Sequence, residues 1–126
     1  MRNQRQRGFT LVELMVVVVI LGTLIALVGP NIWNMLFESN YQAAKTQMSS
    51  FGQAIDTYKM SNKKLPDSLQ RLTQTDGRNP HPFIDSIPKD PWGHPYSYEV
   101  RGRRDYRLSS SGPDGKPNTK DDIRRR

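Results

Sequence analysis

The sequence predicts an α+β fold in which one long N-terminal α-helix packs on a small antiparallel β-sheet. The first observation behind this prediction is an apolar run of 20 residues from Phe9 to Val28, in which Glu13 is the only charged residue. The second is an amphipathic stretch further along the chain, with apolar residues three and four positions apart. The third is a pair of short segments in the last third of the chain that alternate as strands do.

The apolar run is long enough to cross a membrane as a helix. At about 1.5 Å per residue, such a helix spans roughly 30 Å, the thickness of the hydrocarbon core of a bilayer. Three arginines lie among the eight residues before Phe9, and basic residues beside a membrane span tend to stay in the cytoplasm. The rest of the chain is therefore expected on the other side of the membrane.

Glu13 is the unusual residue of this run. An ionised carboxylate within a membrane helix costs about 2.5–3.5 kcal/mol on insertion scales, and no other residue of the run can supply a positive charge, so its partner is expected from outside. A secretory signal is disfavoured, because its apolar region spans roughly 7–15 residues and ends in small residues, whereas this run ends in Leu27-Val28-Gly29-Pro30. A plain signal anchor is the alternative, but it gives Glu13 no role.

The second half of the predicted helix is amphipathic and ends near Asn62, with Pro66 as a stop. Pro30 lacks an N–H and clashes with the preceding turn, so a kink or local unwinding is expected around it. The apolar face, at helical spacing, is formed by Ala44, Met48, Phe51, Ile55 and Tyr58. The opposite, polar face is formed by Gln42, Lys45, Gln53, Asp56 and Lys59.

The remainder of the chain predicts short elements joined by loops. Asp67 or Ser68 is expected to cap a helix of two turns or fewer, which is followed by a loop over residues 73–82. Residues 96–100 and 105–109 alternate as strands do, and Gly102 between them predicts a hairpin. The residues expected to pack on the helix face are Trp92, Tyr98 and Leu108, with core packing favoured over a binding role for Trp92.

Composition excludes several classes of function. The chain has no cysteine and therefore no disulfide or thiolate metal site. The formal net charge of +7 includes the three arginines before Phe9, without which it is +4, and no nucleic-acid recognition motif accompanies it. Arg124-Arg125-Arg126 is expected to be a solvated tail. His81 and His94 lie beside prolines, without a nucleophile or a set of zinc ligands, so the sequence predicts no enzyme.

Residues 111–123 bring three aspartates within nine positions of a turn-rich segment. Calcium takes six to eight oxygen ligands from carboxylates, backbone carbonyls and waters. The spacing differs from that of an EF-hand, which needs oxygen ligands at alternate early positions and a distant glutamate. From spacing alone, a solvated turn of aspartates and glycines is favoured over a cation site.

The stretch Gly8-Phe9-Thr10-Leu11-Val12-Glu13 resembles the processing site of type IV pilins and type II secretion pseudopilins. The resemblance implies that a prepilin peptidase cuts between Gly8 and Phe9 and that the new amine of Phe9 is methylated. It also implies that Glu13 neutralises this amine in a neighbouring subunit. The domains would be a cleaved basic leader (residues 1–8), a hydrophobic transmembrane and assembly helix (9–30) and a periplasmic head (31–126).

A second motif narrows the resemblance. Asp90-Pro91-Trp92-Gly93, followed by Pro95-Tyr96, is similar to the major pseudopilins of type II secretion, as is the segment 58–62. Where members commonly have Tyr-Pro next, this chain has Leu65-Pro66. The resemblance implies a type IV pilin-like fold and a structural Ca²⁺ in the aspartate loop. The implied carboxylate ligands are Asp114, Asp121 and Asp122, with backbone carbonyls near Ser111 and Lys116 and the hydroxyl of Thr119 completing the shell.

The implied function is structural. Processed subunits would leave the bacterial inner membrane, which each crosses once with its head in the periplasm, and stack into a homopolymeric filament. The filament would push folded proteins through an outer-membrane channel, and its partners would be minor pseudopilins and an inner-membrane assembly platform. Two alternatives are open at this stage. One is a type IV pilin of a surface fibre, and the other is a membrane-anchored calcium-binding module that does not polymerise.

Overall fold

The computed structural model describes residues 8–125; residues 1–7 of the predicted leader and Arg126 lie outside it. The described chain has one α-helix, α1 (Leu11–Asn62), a 3₁₀ helix (Leu69–Thr73) and three strands, β1 (Ser97–Val100), β2 (Tyr106–Ser110) and β3 (Ile123–Arg124). It divides into two units, the first ending at Phe37 and the second beginning at Glu38. The predicted α+β architecture, with one long helix and a small antiparallel sheet, is confirmed.

Helix α1 has 52 residues and ends at Asn62, as predicted. The local unwinding expected at Pro30 is absent, because the helical conformation continues through this residue. The helix thus ends four residues before Pro66. The chain leaves the helix at Lys63, which adopts the left-handed conformation with φ 60° and donates its N–H to the Lys59 carbonyl at 2.9 Å.

The first unit exposes its apolar side chains. Phe9 is 88% exposed and Val28 is 49% exposed, and the large apolar residues between them lie within this range. Helix α1 contains a segment long and apolar enough to cross a membrane by length and composition, and the part of the chain that the structure describes buries none of that segment. The apolar surface of this unit is thus available to lipid or to another protein.

The core of the second unit confirms the predicted helix face. All five predicted apolar residues of α1 are buried, from Ala44 to Tyr58. The ring of Phe51 meets that of Tyr96 edge-on, with centroids 5.1 Å apart. Leu108 is fully buried, whereas Trp92 and Tyr98, predicted as core, are half-buried and pack against its margin. The other buried apolar residues of this core are Ala54, Leu65, Leu69, Leu72 and Ile123.

The sheet has the order β1-β2-β3, and both pairs of strands are antiparallel. The predicted hairpin is confirmed, with Tyr98 opposite Leu108. The third strand was not predicted. It has only two residues, of which Ile123 enters the core with 2% of its surface exposed.

The predicted capping of the short helix is wrong. The segment forms a 3₁₀ helix that begins after Ser68, and the Ser68 side chain makes no capping hydrogen bond. A 3₁₀ helix of five residues closes its own i→i+3 bonds, such as that from the Arg71 N–H to the Ser68 carbonyl at 3.2 Å. The buried side chains of Leu69 and Leu72 hold this segment to the core.

Two of the arginines predicted as a solvated tail are part of the fold. Arg124 belongs to β3. The guanidinium of Arg125 lies against the backbone of Gly52, where an added Cβ would collide with it. Its Nη1 donates to the Tyr106 hydroxyl at 3.0 Å, and its Nη2 lies 3.8 Å from Oδ2 of Asp56. The end of the described chain is therefore fastened to α1.

Candidate functional site

The start of α1 carries the predicted processing and assembly residues. Gly8 and Phe9 are exposed, and within residues 8–125 no atom beyond the chain neighbours lies within 4 Å of the position that a Cβ on Gly8 would occupy. The described part of the chain thus leaves the peptide bond between them uncovered.

Glu13 is engaged within its own chain. The Thr10 N–H donates to Oε2 of Glu13 at 3.2 Å, and the Glu13 N–H donates to the Thr10 hydroxyl oxygen at 3.2 Å. This reciprocal pair is a capping box, which satisfies two backbone N–H groups at the start of a helix. This capping box was not predicted, although Thr10-Leu11-Val12-Glu13 has the required spacing of three residues. Within residues 8–125 the other carboxylate oxygen, Oε1, accepts no hydrogen bond.

The second predicted site lies in the loop between β2 and β3, where four oxygens converge. The hydroxyl of Thr119 lies 2.7 Å from Oδ1 of Asp121 and 3.2 Å from Oδ1 of Asp122. It also lies 3.1 Å from the backbone carbonyl oxygen of Lys116. A hydroxyl has a single proton to donate, so three acceptors share one donor. The loop therefore holds more acceptor oxygens at this point than its own donor satisfies.

The second oxygens of these carboxylates are held by backbone groups. Oδ2 of Asp121 accepts the N–H of Asp114 at 3.3 Å. Oδ2 of Asp122 accepts the N–H of Asn118 at 2.7 Å and lies 3.6 Å from Nη2 of Arg124. Both carboxylates are thus oriented with their Oδ1 atoms toward the Thr119 hydroxyl. The hydrogen bond from that hydroxyl lowers the pKa of the Asp121 carboxyl, so this carboxylate is charged at neutral pH.

Two predicted ligands are placed differently. The Asp114 carboxylate accepts the N–H of Lys116 at 2.9 Å and is not hydrogen-bonded to the Thr119 hydroxyl. Asp114 contacts the cluster through its own backbone N–H, which donates to Asp121. Ser111 is half-buried and lines an adjacent cavity of about 260 Å³, together with Asp122 and His94. The structure thus brings together Lys116, Thr119, Asp121 and Asp122, but not all six predicted residues.

Left-handed backbone conformations close this loop. Gly112 has φ 65°, and a Cβ there would lie 3.1 Å from the carbonyl carbon of Asp121 and closer still to its oxygen. Asn118 has φ 66°, a conformation that asparagine tolerates better than most residues. The close approach of Gly112 to Asp121 joins the two ends of the loop.

The oxygen atoms that converge in this loop are of the kind that a hard cation binds. Within residues 8–125, no three side chains from histidine, cysteine, aspartate and glutamate are grouped closely enough to hold a metal by themselves. The converging set instead has two carboxylates, a carbonyl and a hydroxyl, which are the oxygen ligands that calcium takes. Six to eight ligands would require further carbonyls or waters in addition to these four. The residues present therefore fit Ca²⁺ in part, with an incomplete shell.

Asp90 holds the start of the loop between β2 and β3 through buried hydrogen bonds. Its buried carboxylate accepts the backbone N–H groups of Trp92 and His94 at 3.2 and 2.7 Å, and the hydroxyl of Ser110 at 2.6 Å. Ser110 in turn accepts the N–H of Gly112 at 3.3 Å. This role of Asp90 was not predicted, although an aspartate that accepts the N–H two residues later is a known turn signal. Asp90 thus links the turn at residues 92–94 to the start of the loop between β2 and β3.

Comparison with known proteins gives concordant matches over both halves of the chain. The family model for the type II secretion system protein G matches residues 31–125, and that for the prokaryotic N-terminal methylation motif matches residues 3–29. The chain is 38% identical to type II secretion system core protein G of Klebsiella pneumoniae, over 95% of this chain and 94% of that protein. It is 37% identical to the core protein G of Escherichia coli K12, over 96% of this chain and 91% of that protein.

A solved structure also matches. The crystal structure of the major pseudopilin from the type 2 secretion system of enterohaemorrhagic Escherichia coli superposes with a TM-score of 0.62 at 29% identity. The match covers 75% of this chain and 93% of the other.

Proposed function

Because this chain belongs to the protein G family of type II secretion systems and is a pseudopilus subunit, we propose that it polymerises with copies of itself into a filament that drives protein export. The observation that carries the proposal is the union, in one chain, of a methylation motif at residues 3–29 and a protein G head at residues 31–125. The family is structural, so the chain is not an enzyme. The membership also decides against a type IV pilin of a surface fibre.

The first step of the proposed pathway is processing. A prepilin peptidase would cut between Gly8 and Phe9 and methylate the new amine, and the exposure of this bond supports access by such an enzyme. The apolar helix anchors the chain in a membrane before assembly. The membrane would be the inner one, crossed once with the head in the periplasm, since basic residues precede the span.

Assembly would place the apolar first half of α1 in the centre of a periplasmic filament. The exposed apolar side chains of the first unit support this, because residues 8–125 leave them uncovered. Contacts that repeat from head to tail without closing generate such filaments. Minor pseudopilins and an inner-membrane platform would be the further partners.

Glu13 would set the register of assembly. Its Oε1 is free to accept the methylated ammonium of Phe9 from a neighbouring subunit, while Oε2 stays on the Thr10 N–H. Pairing of a buried charge in this way fixes one arrangement among many that apolar contacts alone would allow.

A calcium ion would stabilise the loop between β2 and β3. Asp121, Asp122, Thr119 and the Lys116 carbonyl would hold it, with Asp114 and the carbonyl near Ser111 as the remaining candidates. The ion would supply positive charge to oxygens that have too few donors, and it would take the place of a disulfide in a chain without cysteine.

The processing step is tested with Gly8→Val, since a branched side chain beside the scissile bond should block the peptidase. Expressed with a complete secretion apparatus, this variant should stay membrane-bound at precursor mass and form no filaments by electron microscopy. Gly22→Val is the matched control, because within residues 8–125 nothing outside its own stretch of α1 lies within 4 Å of the Cβ position of Gly22. Efficient cleavage of Gly8→Val would contradict the peptidase assignment, and filaments of uncut protein would contradict the need for processing.

A further inference from the structure

Five basic side chains surround one cavity of about 690 Å³ on the second unit. They come from two places, the end of α1 and the turn between β1 and β2. We call this surface the basic groove, and its cations are Lys59, Lys63, Lys64, Arg103 and Arg104.

The fold itself brings these cations together. The left-handed conformation of Lys63 turns the chain at the end of α1, so that Lys63 and Lys64 both line the cavity. The turn that carries Arg103 and Arg104 is tied to the helix, because Nζ of Lys59 donates to the Arg104 carbonyl at 3.3 Å. The left-handed turn at Lys63 and the contact of Lys59 with the β1–β2 turn thus bring the five cations to one surface of the head.

The charges of the groove are not compensated. Over residues 8–125, every ion pair within 4.0 Å involves other cations, so none of these five meets a carboxylate. Asp67 is the only acidic residue of the lining. The segment from Glu38 to Arg126 has a formal charge of +5, of which the groove with Asp67 accounts for +4. The net charge of the head is therefore concentrated at one surface.

The chemistry of the groove identifies its occupant. Leu65 and Val100 also line it, and Val100 is 45% exposed between the cations. Arginine forks pair with carboxylates through two hydrogen bonds, and lysines add point charges. We propose that the basic groove binds an acidic polypeptide segment whose carboxylates face the cations and whose apolar side chain lies on Val100. This inference goes beyond the filament proposal, since such binding needs neither processing nor polymerisation.

The test uses the full-length chain in neutral detergent micelles and a fluorescent synthetic peptide of alternating glutamate pairs and leucines. Binding should saturate, and its association rate should fall steeply with salt. Lys63→Glu with Lys64→Glu, and separately Arg103→Glu with Arg104→Glu, should each weaken binding on the order of tenfold. Lys45→Glu with Lys89→Glu changes the net charge equally outside the groove and should leave the affinity unchanged. Circular dichroism melting of each variant checks that the fold is intact. If charge reversal disturbs the fold, Lys63→Gln with Lys64→Gln replaces the glutamate variant in the binding measurement.

A second comparison separates a polypeptide from other anions. Val100→Ser should weaken the binding of the leucine-containing peptide. It should leave unchanged the affinity for a peptide with serine in place of leucine. Four outcomes would overturn the proposal. They are no saturable binding, equal weakening by the control pair, equal competition by inorganic phosphate or vesicles of anionic lipid, and equal competition by a single-stranded oligonucleotide of the same charge.

Discussion

At the scale of single residues, Glu13 has two separable roles. In the capping box it accepts the Thr10 N–H, and in the proposed filament its free oxygen accepts the Phe9 ammonium of the next subunit. Thr10→Ala removes the hydroxyl half of the box but keeps the carboxylate. Glu13→Ala removes the other half of the box and the charge as well, so each variant loses one of the two capping hydrogen bonds, worth about 0.5–2 kcal/mol.

We expect Glu13→Ala to be inserted and cleaved normally but to form no filaments, whereas Thr10→Ala should still polymerise. The measurement is negative-stain electron microscopy of each variant, with mass spectrometry to confirm cleavage. Normal filaments from Glu13→Ala would refute the pairing. Loss of filaments in both variants would assign the effect to helix capping instead.

Asp90 permits a second prediction at this scale. Asp90→Asn keeps the size of the side chain but removes the negative charge that strengthens the hydrogen bonds from two backbone N–H groups and the Ser110 hydroxyl. We expect the free energy of unfolding of a fragment from Asn31 to fall by about 1–3 kcal/mol in urea titrations. Asp85→Asn, at an exposed position, should change it by less than about 0.5 kcal/mol. Equal effects of the two substitutions would contradict the central role of Asp90.

At the scale of elements, the loop between β2 and β3 should be stabilised by calcium. An ion present at about a hundred times its dissociation constant adds about 2.7 kcal/mol to the stability of the folded state. Each kcal/mol shifts the melting temperature of a domain of this size by about 4–8 °C. Chelation should therefore lower the melting temperature of the fragment from Asn31 by about 10 °C or more.

Asp121→Ala should melt like the chelated protein and should no longer respond to calcium, because it removes an oxygen at the point of convergence. Asp85→Ala, outside the loop, should respond as the unmodified fragment does. A melting curve that chelation leaves unchanged would mean that the loop is only a turn.

The elements also show which parts of the fold can be read from sequence. Helix α1 and the β1–β2 hairpin repeat their pattern over several turns or residues, so periodicity predicts them. Strand β3 has two residues, which are too few to show a sequence pattern. It is held in place because the Ile123 side chain packs in the core. The convergence at Thr119 depends on left-handed backbone at Gly112 and Asn118, which the spacing of the aspartates does not encode.

At the scale of the whole molecule, two tyrosines make the stability of the fold depend on pH. Burial raises the pKa of Tyr96 and of Tyr98 to about 12. The Tyr98 hydroxyl donates to the Pro66 carbonyl at 2.8 Å, and that of Tyr96 donates to Oε1 of Gln47. Since the unfolded chain ionises these phenols near pH 10, their contribution is fully present below pH 10 and is lost as pH rises toward 12.

The melting temperature of the fragment should accordingly fall between pH 9 and pH 11. Tyr98→Phe should be less stable at pH 9, because the Pro66 carbonyl loses its donor, yet it should lose less stability on going to pH 11. The two proteins should differ in how steeply the melting temperature falls with pH. This difference reports on Tyr98, because the lysines titrate in both proteins. Parallel slopes would contradict the assignment.

The acceptor-rich loop also has a consequence for the lifetime of the protein. Lys116 and Lys120 lie in it beside the converging oxygens, and cleavage of a folded protein requires that such a segment first open. If the proposed Ca²⁺ binds here, a subunit that lacks it should open there more often and be cut there first, and Ile123, next to Asp122, should pack less firmly in the core. Proteases would then remove ion-free subunits selectively, so that the local calcium supply would set how many subunits survive.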